Sequence, residues 1–200
     1  MLVVGLTGSI GMGKSTAAAR FRARGIGVFD ADAEVHRLYA GPLADEIEKA
    51  FPGSCTGGAV DRTKLSEQLI AAPHRFKELE AIVHPRVHEA ERHFLQAENA
   101  HGAEVPLFLE VGRDAHVDAI VVVTASAEVQ RQRVLARAGM TEAKFEAVVA
   151  RQLPEAEKRA RADFVVDTSG SVESCNSQID IIITRLLPLS ATAYEQFWRA

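Results

Sequence analysis

Eight residues near the start, Gly8-Ser9-Ile10-Gly11-Met12-Gly13-Lys14-Ser15, leave few folds open to this chain. They fit G-x-x-x-x-G-K-[ST] at every fixed position, and each fixed residue has a physical task. The glycines let the backbone bend and approach a phosphate closely, turning successive N–H groups inward. The Lys14 ammonium is placed to reach the outer phosphates of a nucleoside triphosphate, and the Ser15 hydroxyl to hold Mg²⁺. By average residue frequencies the four positions coincide by chance in about one chain of this length in a hundred. Context removes most of that chance. Leu2–Thr7 reads as a short buried strand, and Lys14–Arg24 is alanine-rich and helix-favouring, with Gly25 as its stop. Binding of a nucleoside triphosphate follows.

The same alternation continues along the chain. Val28–Asp30, Ala119–Thr124 and Phe164–Asp167 read as strands. Helices are expected over Glu34–Ala40, Leu43–Phe51, Thr63–Ala72, Phe76–Val83 and Pro85–Glu98, with Pro85 in the first turn of its helix. Further helices are expected over Ala127–Arg137 behind a Ser126 cap, behind a Thr141 cap to about Gln152, briefly from Pro154, and over Val172–Leu187. Strands alternating with helices argue for an α/β fold, a parallel sheet flanked by helices of the P-loop nucleoside-triphosphate-hydrolase-like kind. Two hundred residues suit one such domain with small insertions.

Composition narrows the partners. With 47% hydrophobic and 25% charged residues a core of normal size needs no metal or disulfide staple. A net charge of −4 gives no general grip on nucleic acid. The most apolar stretches, Ala119–Val123 and Ile179–Leu189, are too short or too interrupted to cross a bilayer. Cys55 and Cys175 lack any metal-binding spacing, and Met1–Val4 runs straight into a strand, so a reduced cytoplasmic protein is expected. The oligomeric state is left open, a monomer included.

A phosphate loop is shared by switches, motors and kinases. No N/T-K-x-D tetrapeptide for reading guanine is present, and the chain is short for a motor. A small kinase needs a carboxylate near its acceptor hydroxyl and a mobile, arginine-rich segment. Asp30-Ala31-Asp32 follows the second strand, at the sheet end where open α/β folds bind ligands. Asp32 is the candidate general base; the plainer alternative has both aspartates capping a helix from Ala33. Arg131, Arg133, Arg137, Arg151, Lys158, Arg159 and Arg161 lie between the last two strands. Most belong on solvated faces opposite Glu142, Glu146, Glu155 and Glu157; one or two, Arg137 first, are candidates to neutralise the moving phosphoryl group.

Five stretches in order carry a resemblance to a known family: GLTGSIGMGKST, DAD, the VDR at Val60–Arg62, LEAIVHPRV around His84, and ARADFVVDTSG ending at Gly170. Together they resemble the dephospho-CoA kinases. That resemblance implies transfer of the ATP γ-phosphate to the ribose 3′-hydroxyl of dephospho-CoA, with Mg²⁺ and no nucleic-acid or membrane partner. It implies a core over about 1–33, 99–136 and 162–200, a helical acceptor-binding insertion over about 34–98, and a lid over about 137–161. It also implies that Gly11, Met12, Gly13, Lys14, Ser15 and Thr16 hold ATP, that Asp32 is the base at the acceptor, and that His84 lies near the acceptor; Lys14 and Arg137 join Asp32 as the catalytic candidates.

One stretch departs from the family pattern, which has a full apolar strand, often ending in Asp, before an I/V-P-L-L-x-E turn. Here there is only Glu104-Val105-Pro106-Leu107-Phe108-Leu109-Glu110, then Val111-Gly112-Arg113-Asp114. If Val105–Leu109 is the strand, nine residues remain for a crossover that normally takes a dozen or more. Either a very short strand or none is expected, with exposed apolar edges. Glu104 or Glu110 would replace the strand-end carboxylate, or nothing would. Two alternatives stay open: a kinase for another small molecule or nucleotide, or a catalytically weak ATP-binding protein.

Overall fold

The computed structural model describes residues 1–109 and 116–199, with the backbone alone at Leu109. The chain divides into two units, Met1–Phe29 with Leu95–Ala200, and Asp30–Phe94.

The first unit is built on a five-stranded sheet, β1 Val4–Thr7, β2 Val28–Asp30, β5 Leu107–Leu109, β6 Ala119–Thr124 and β7 Phe164–Asp167. Their order is β2-β5-β1-β6-β7, and β1 lies parallel to both β5 and β6, as β6 does to β7. Val4, Leu6, Val121 and Val123 are wholly buried, as strands covered on both faces must be. Helix α1 (Lys14–Ala23) buries Ala17, Ala18 and Phe21, and α9 (Val172–Leu186) buries Ile179, Ile182 and Leu186 in the same core. Each large side chain so buried contributes about 1.5–3 kcal/mol. Helix α1 stops where expected: Gly25, at φ 78°, donates to Arg22 O, and Ile26 N donates to Phe21 O, closing the last turn. Between β6 and β7 lie α6 (Ala127–Leu135), α7 (Glu142–Arg151) and α8 (Glu155–Ala160), with Ser126 and Thr141 as the caps the sequence assigned.

The strand in question exists and is short. Leu107–Leu109 pairs with Val4–Leu6, and the ladder is extended upstream by Leu2 N to Glu104 O and Val4 N to Pro106 O. Pro106 takes part through its carbonyl, just ahead of the strand, where a missing donor costs least. The expectation of exposed apolar edges fails for this strand. Leu107 and Phe108 are buried, and Trp198 packs on Phe108 with ring centroids 5.1 Å apart. Trp198 belongs to a final helical turn, Tyr194–Trp198, that the sequence did not suggest. Asp118 fixes it: one carboxylate oxygen accepts from Thr192 N and Ala193 N, the other from Val3 N just ahead of β1. The expected nine-residue crossover falls mostly on residues 110–115, outside the described residues.

The second unit contains α2 (Ala31–Tyr39), α3 (Ala44–Ala50), a two-stranded hairpin of β3 (Cys55–Thr56) and β4 (Ala59–Val60), α4 (Arg62–Ala71) and most of α5 (Phe76–Ala100). Its core gathers Leu38, Leu43, Ile47, Phe51, Leu65, Leu69 and Val83. The expected break at Pro85 is wrong: α5 runs 25 residues with Pro85 inside it. Val83 before the proline and Val87 after it pack on the same core, and that shared burial outweighs the lost backbone bond.

Candidate nucleotide site

The phosphate loop leaves the end of β1, the innermost strand, and runs into α1. Its glycines meet backbone demands no other residue would meet. Gly11 (φ 77°) and Gly13 (φ 88°) are left-handed, and a Cβ on Gly11 would lie 2.5 Å from a Val134 methyl. A Cβ on Gly8 would lie 2.5 Å from Val123 O. Gly13 is the N-cap of α1 and offers no side-chain acceptor, and the first turn holds no acid. The N–H groups of Lys14, Ser15 and Thr16 thus form a positive end suited to an anion. Lys14 Nζ folds back over the loop onto Gly8 O (2.5 Å) and Ser9 O (3.3 Å). Ser15 and Thr16 are exposed.

Residues from the segment between β6 and β7 reach this loop. Gln130 Nε2 donates to Ile10 O (2.9 Å), and Gln152 Oε1 accepts from Ile10 N (3.0 Å). Lys158 Nζ donates to Ser9 Oγ (2.8 Å). Burial pushes the Lys158 ammonium below its ordinary pKa, and the Glu155 charge opposes that shift. Both Glu155 carboxylate oxygens are buried with no hydrogen-bond partner, so the expected solvated pairing of Glu155 is wrong. Its attraction to Lys158 acts through space. Behind the loop, Arg133 donates to Thr168 Oγ1 (3.0 Å) and to Thr168 O (2.7 Å).

The arginines divide differently from the expectation. Arg131 forms the ordinary surface pair with Glu142 (2.6 and 2.8 Å). Arg137, the first candidate, is exposed beyond the end of α6, and the cations on the loop and its backing are instead Lys158 and Arg133. Lys158 was only one of the seven basic residues named between the last two strands; nothing local set it apart. Its place on α8, one turn from the buried Glu155, is what selects it.

Asp30 and Asp32 also separate. Asp30 caps α2, accepting from Ala33 N (3.0 Å), while Asp32 stands exposed in the first helical turn. Capping therefore explains Asp30 and leaves Asp32 available. His84 is exposed on α5, one residue before Pro85. Glu104 is corrected: it lies ahead of β5, at the amino end of the parallel strands, whereas the loop leaves their carboxyl end. Glu110 lies outside the described residues.

Two clefts open at the carboxyl end of the sheet. One, beside the loop, is lined by Gly13, Thr16, Arg133, Gly170, Ser171 and Val172. The other, about 450 Å³, lies at the ends of β6 and β7 among Ser126, Arg159, Asp167 and Ser169. Ser169 N donates to Asp167, whose carboxyl is held below the usual range by Ser169. Among the described residues no cluster of three or more His, Cys, Asp or Glu side chains could hold a metal, and no helix is long and apolar enough to cross a membrane.

A glycine-rich loop on the central parallel strand, opening a helix and overlain by residues from the β6–β7 segment, places the molecule among P-loop kinase folds. A shikimate kinase from Bacteroides thetaiotaomicron shares that fold at a TM-score of 0.51 and 14% identity, over 92% of this chain and 98% of its own. The chain belongs to the dephospho-CoA kinase family, whose model matches residues 2–174. It is 51% identical over 191 residues to the dephospho-CoA kinase of Rhizobium meliloti, covering 93% of this chain and 98% of that one. The crystal structure of TT1252 from Thermus thermophilus superposes with a TM-score of 0.76 at 34% identity, over 92% of this chain and 97% of that one.

Proposed function

We propose that this chain phosphorylates dephospho-CoA with ATP, as the names of its relatives describe. The observation that carries the reading is the family match over residues 2–174 together with an intact phosphate loop. Half-identity along nearly the whole chain favours an active kinase over a weakened binding protein, despite the three-residue strand at Leu107–Leu109.

In this reading the triphosphate lies on the N–H groups of Gly11–Thr16, with Lys14 turning from Gly8 O and Ser9 O to the β- and γ-phosphates. The nucleoside extends into the cleft between Arg133 and Gly170–Val172. Ser15 would hold Mg²⁺ together with the phosphates, and the ion would supply charge neutralisation there. Asp32 accepts the proton of the ribose 3′-hydroxyl as its oxygen forms a bond to the γ-phosphorus and the bond to the β,γ-bridging oxygen breaks, giving ADP. His84 lies at the acceptor. The insertion over about 34–98 binds that acceptor, and the lid over about 137–161 closes on ATP. Gln152 then releases Ile10 N, and Lys158 and Arg137 stand near the transferring group, where cations offset its charge.

Phosphorus NMR of the product tests the assignment. A new 3′-phosphomonoester on the coenzyme is expected; a phosphate gained at another position would overturn it.

A further inference from the structure

Behind the loop, on the wall of the cleft beside it, Thr168 sits at a junction. It is 4% exposed and follows directly on β7. Its hydroxyl donates to Met12 O (2.8 Å), with Thr124 O also in range (3.2 Å), and accepts from Arg133 Nη1 (3.0 Å). Its own N–H donates to Thr124 O (2.8 Å), and its carbonyl accepts from Arg133 Nη2 (2.7 Å). The threonine is therefore held on three sides, with one contact left for the loop.

That contact falls on a particular peptide. Met12 C=O and Gly13 N–H belong to the same planar trans unit, so they point in opposite directions. A hydroxyl holding the Met12 carbonyl toward β7 thereby aims the Gly13 N–H away from β7, into the loop's interior. Gly13 has no Cβ to interfere: one would lie 2.9 Å from Thr168 Oγ1. The left-handed Gly13 and the threonine behind it form one fitted pair.

We infer that Thr168 is a positioning residue for nucleotide binding, which orients the Gly13 N–H through the Met12 carbonyl and is itself held by Arg133. The inference rests on the phosphate-loop reading above. It separates the nucleotide from the acceptor, because the hydrogen bonds of Thr168 run to the loop, to Thr124 and to Arg133. Loss of the hydroxyl frees the peptide to turn, weakening a contact made in ground and transition states alike. KM for ATP then rises while kcat stays nearly unchanged.

The test uses Thr168→Val, which keeps the shape and removes the hydroxyl, and Thr168→Ser, which keeps it. In Thr168→Val the KM for ATP should rise about 3- to 10-fold, the net worth of one hydrogen bond, with KM for dephospho-CoA unchanged. Thr168→Ser should stay within about twofold of wild type, since it retains that bond. Should the valine protein not fold, Thr168→Cys replaces it, with an intermediate rise in KM for ATP from its weaker donor. A folded valine or cysteine variant with wild-type KM for ATP would overturn the inference. So would a serine variant as impaired as the valine one, which would assign the effect to packing. Wild-type turnover, measured alongside, reports on the phosphate-loop reading separately.

Discussion

Gly11→Ala should damage both fold and binding, and the structure separates the two costs. Gly11 is left-handed at φ 77°, a conformation costing a residue with a Cβ about 1–2 kcal/mol. The added carbon would also sit 2.5 Å from Val134 Cγ2 and 3.0 Å from Gln130 O, and such overpacking costs about 1–3 kcal/mol. Together these predict a loss of about 2–5 kcal/mol. At about 2–4 °C per kcal/mol for a chain of this size, Tm falls by about 4–20 °C. Gly53 is the control. It has nearly the same φ, 79°, but a Cβ there meets nothing within 4 Å. Gly53→Ala therefore carries the strain alone, and its Tm falls by about 2–8 °C. Differential scanning calorimetry of both variants isolates the clash, and steady-state kinetics should show a raised KM for ATP in Gly11→Ala only. A Gly11→Ala protein that melts no lower than Gly53→Ala, with wild-type KM for ATP, would refute the reasoning.

Lys14→Ala should abolish phosphoryl transfer with the circular dichroism spectrum unchanged, because it removes the charge meeting the β- and γ-phosphates; wild-type turnover would sink the loop's role. Asp32→Asn should lower kcat by about 10²–10⁴-fold with ATP affinity little altered, the range for a lost general base, whereas collapsed ATP binding would make Asp32 a structural or metal-linked group. Asp180 accepts from both Arg20 and Arg24, which hold its carboxyl well below the usual range and tie α9 to α1. A depressed carboxyl stabilises above its unfolded pKa of about 3.9 and loses that contribution as pH falls toward the folded value. The Tm difference between wild type and Asp180→Asn should thus hold from pH 8 to 5 and shrink below about pH 4; a difference independent of pH would contradict this. Hydrogen exchange over Arg137–Arg161 should slow when ATP binds, and equal protection with and without nucleotide would count against a lid.

Legibility in the sequence followed the range of the interactions. The loop, the helix it opens and the Gly25 stop are set by backbone geometry within a few residues, and they stand where the sequence placed them. The hairpin at Cys55–Val60 carried a local signal that went unread: Gly57-Gly58, both at positive φ, between two short β-favouring pairs. Pro85 misled because its local cost is real, yet Val83 and Val87 share a core assembled from residues far apart in sequence. The places of Lys158, Gln152 and Thr168 at the loop rest on contacts 142 to 156 residues away in sequence, which no periodicity records. Asp118 is the same case: one carboxylate joins Val3, just ahead of the first strand, to the last turn.

The central claim is tested most directly by coupling ADP formation to NADH oxidation in a mixture of this protein, ATP and Mg²⁺. ADP should form rapidly when dephospho-CoA is added, in stoichiometric amount, and scarcely at all without it or with other nucleosides in its place. ADP released at the same rate with and without dephospho-CoA would contradict the account.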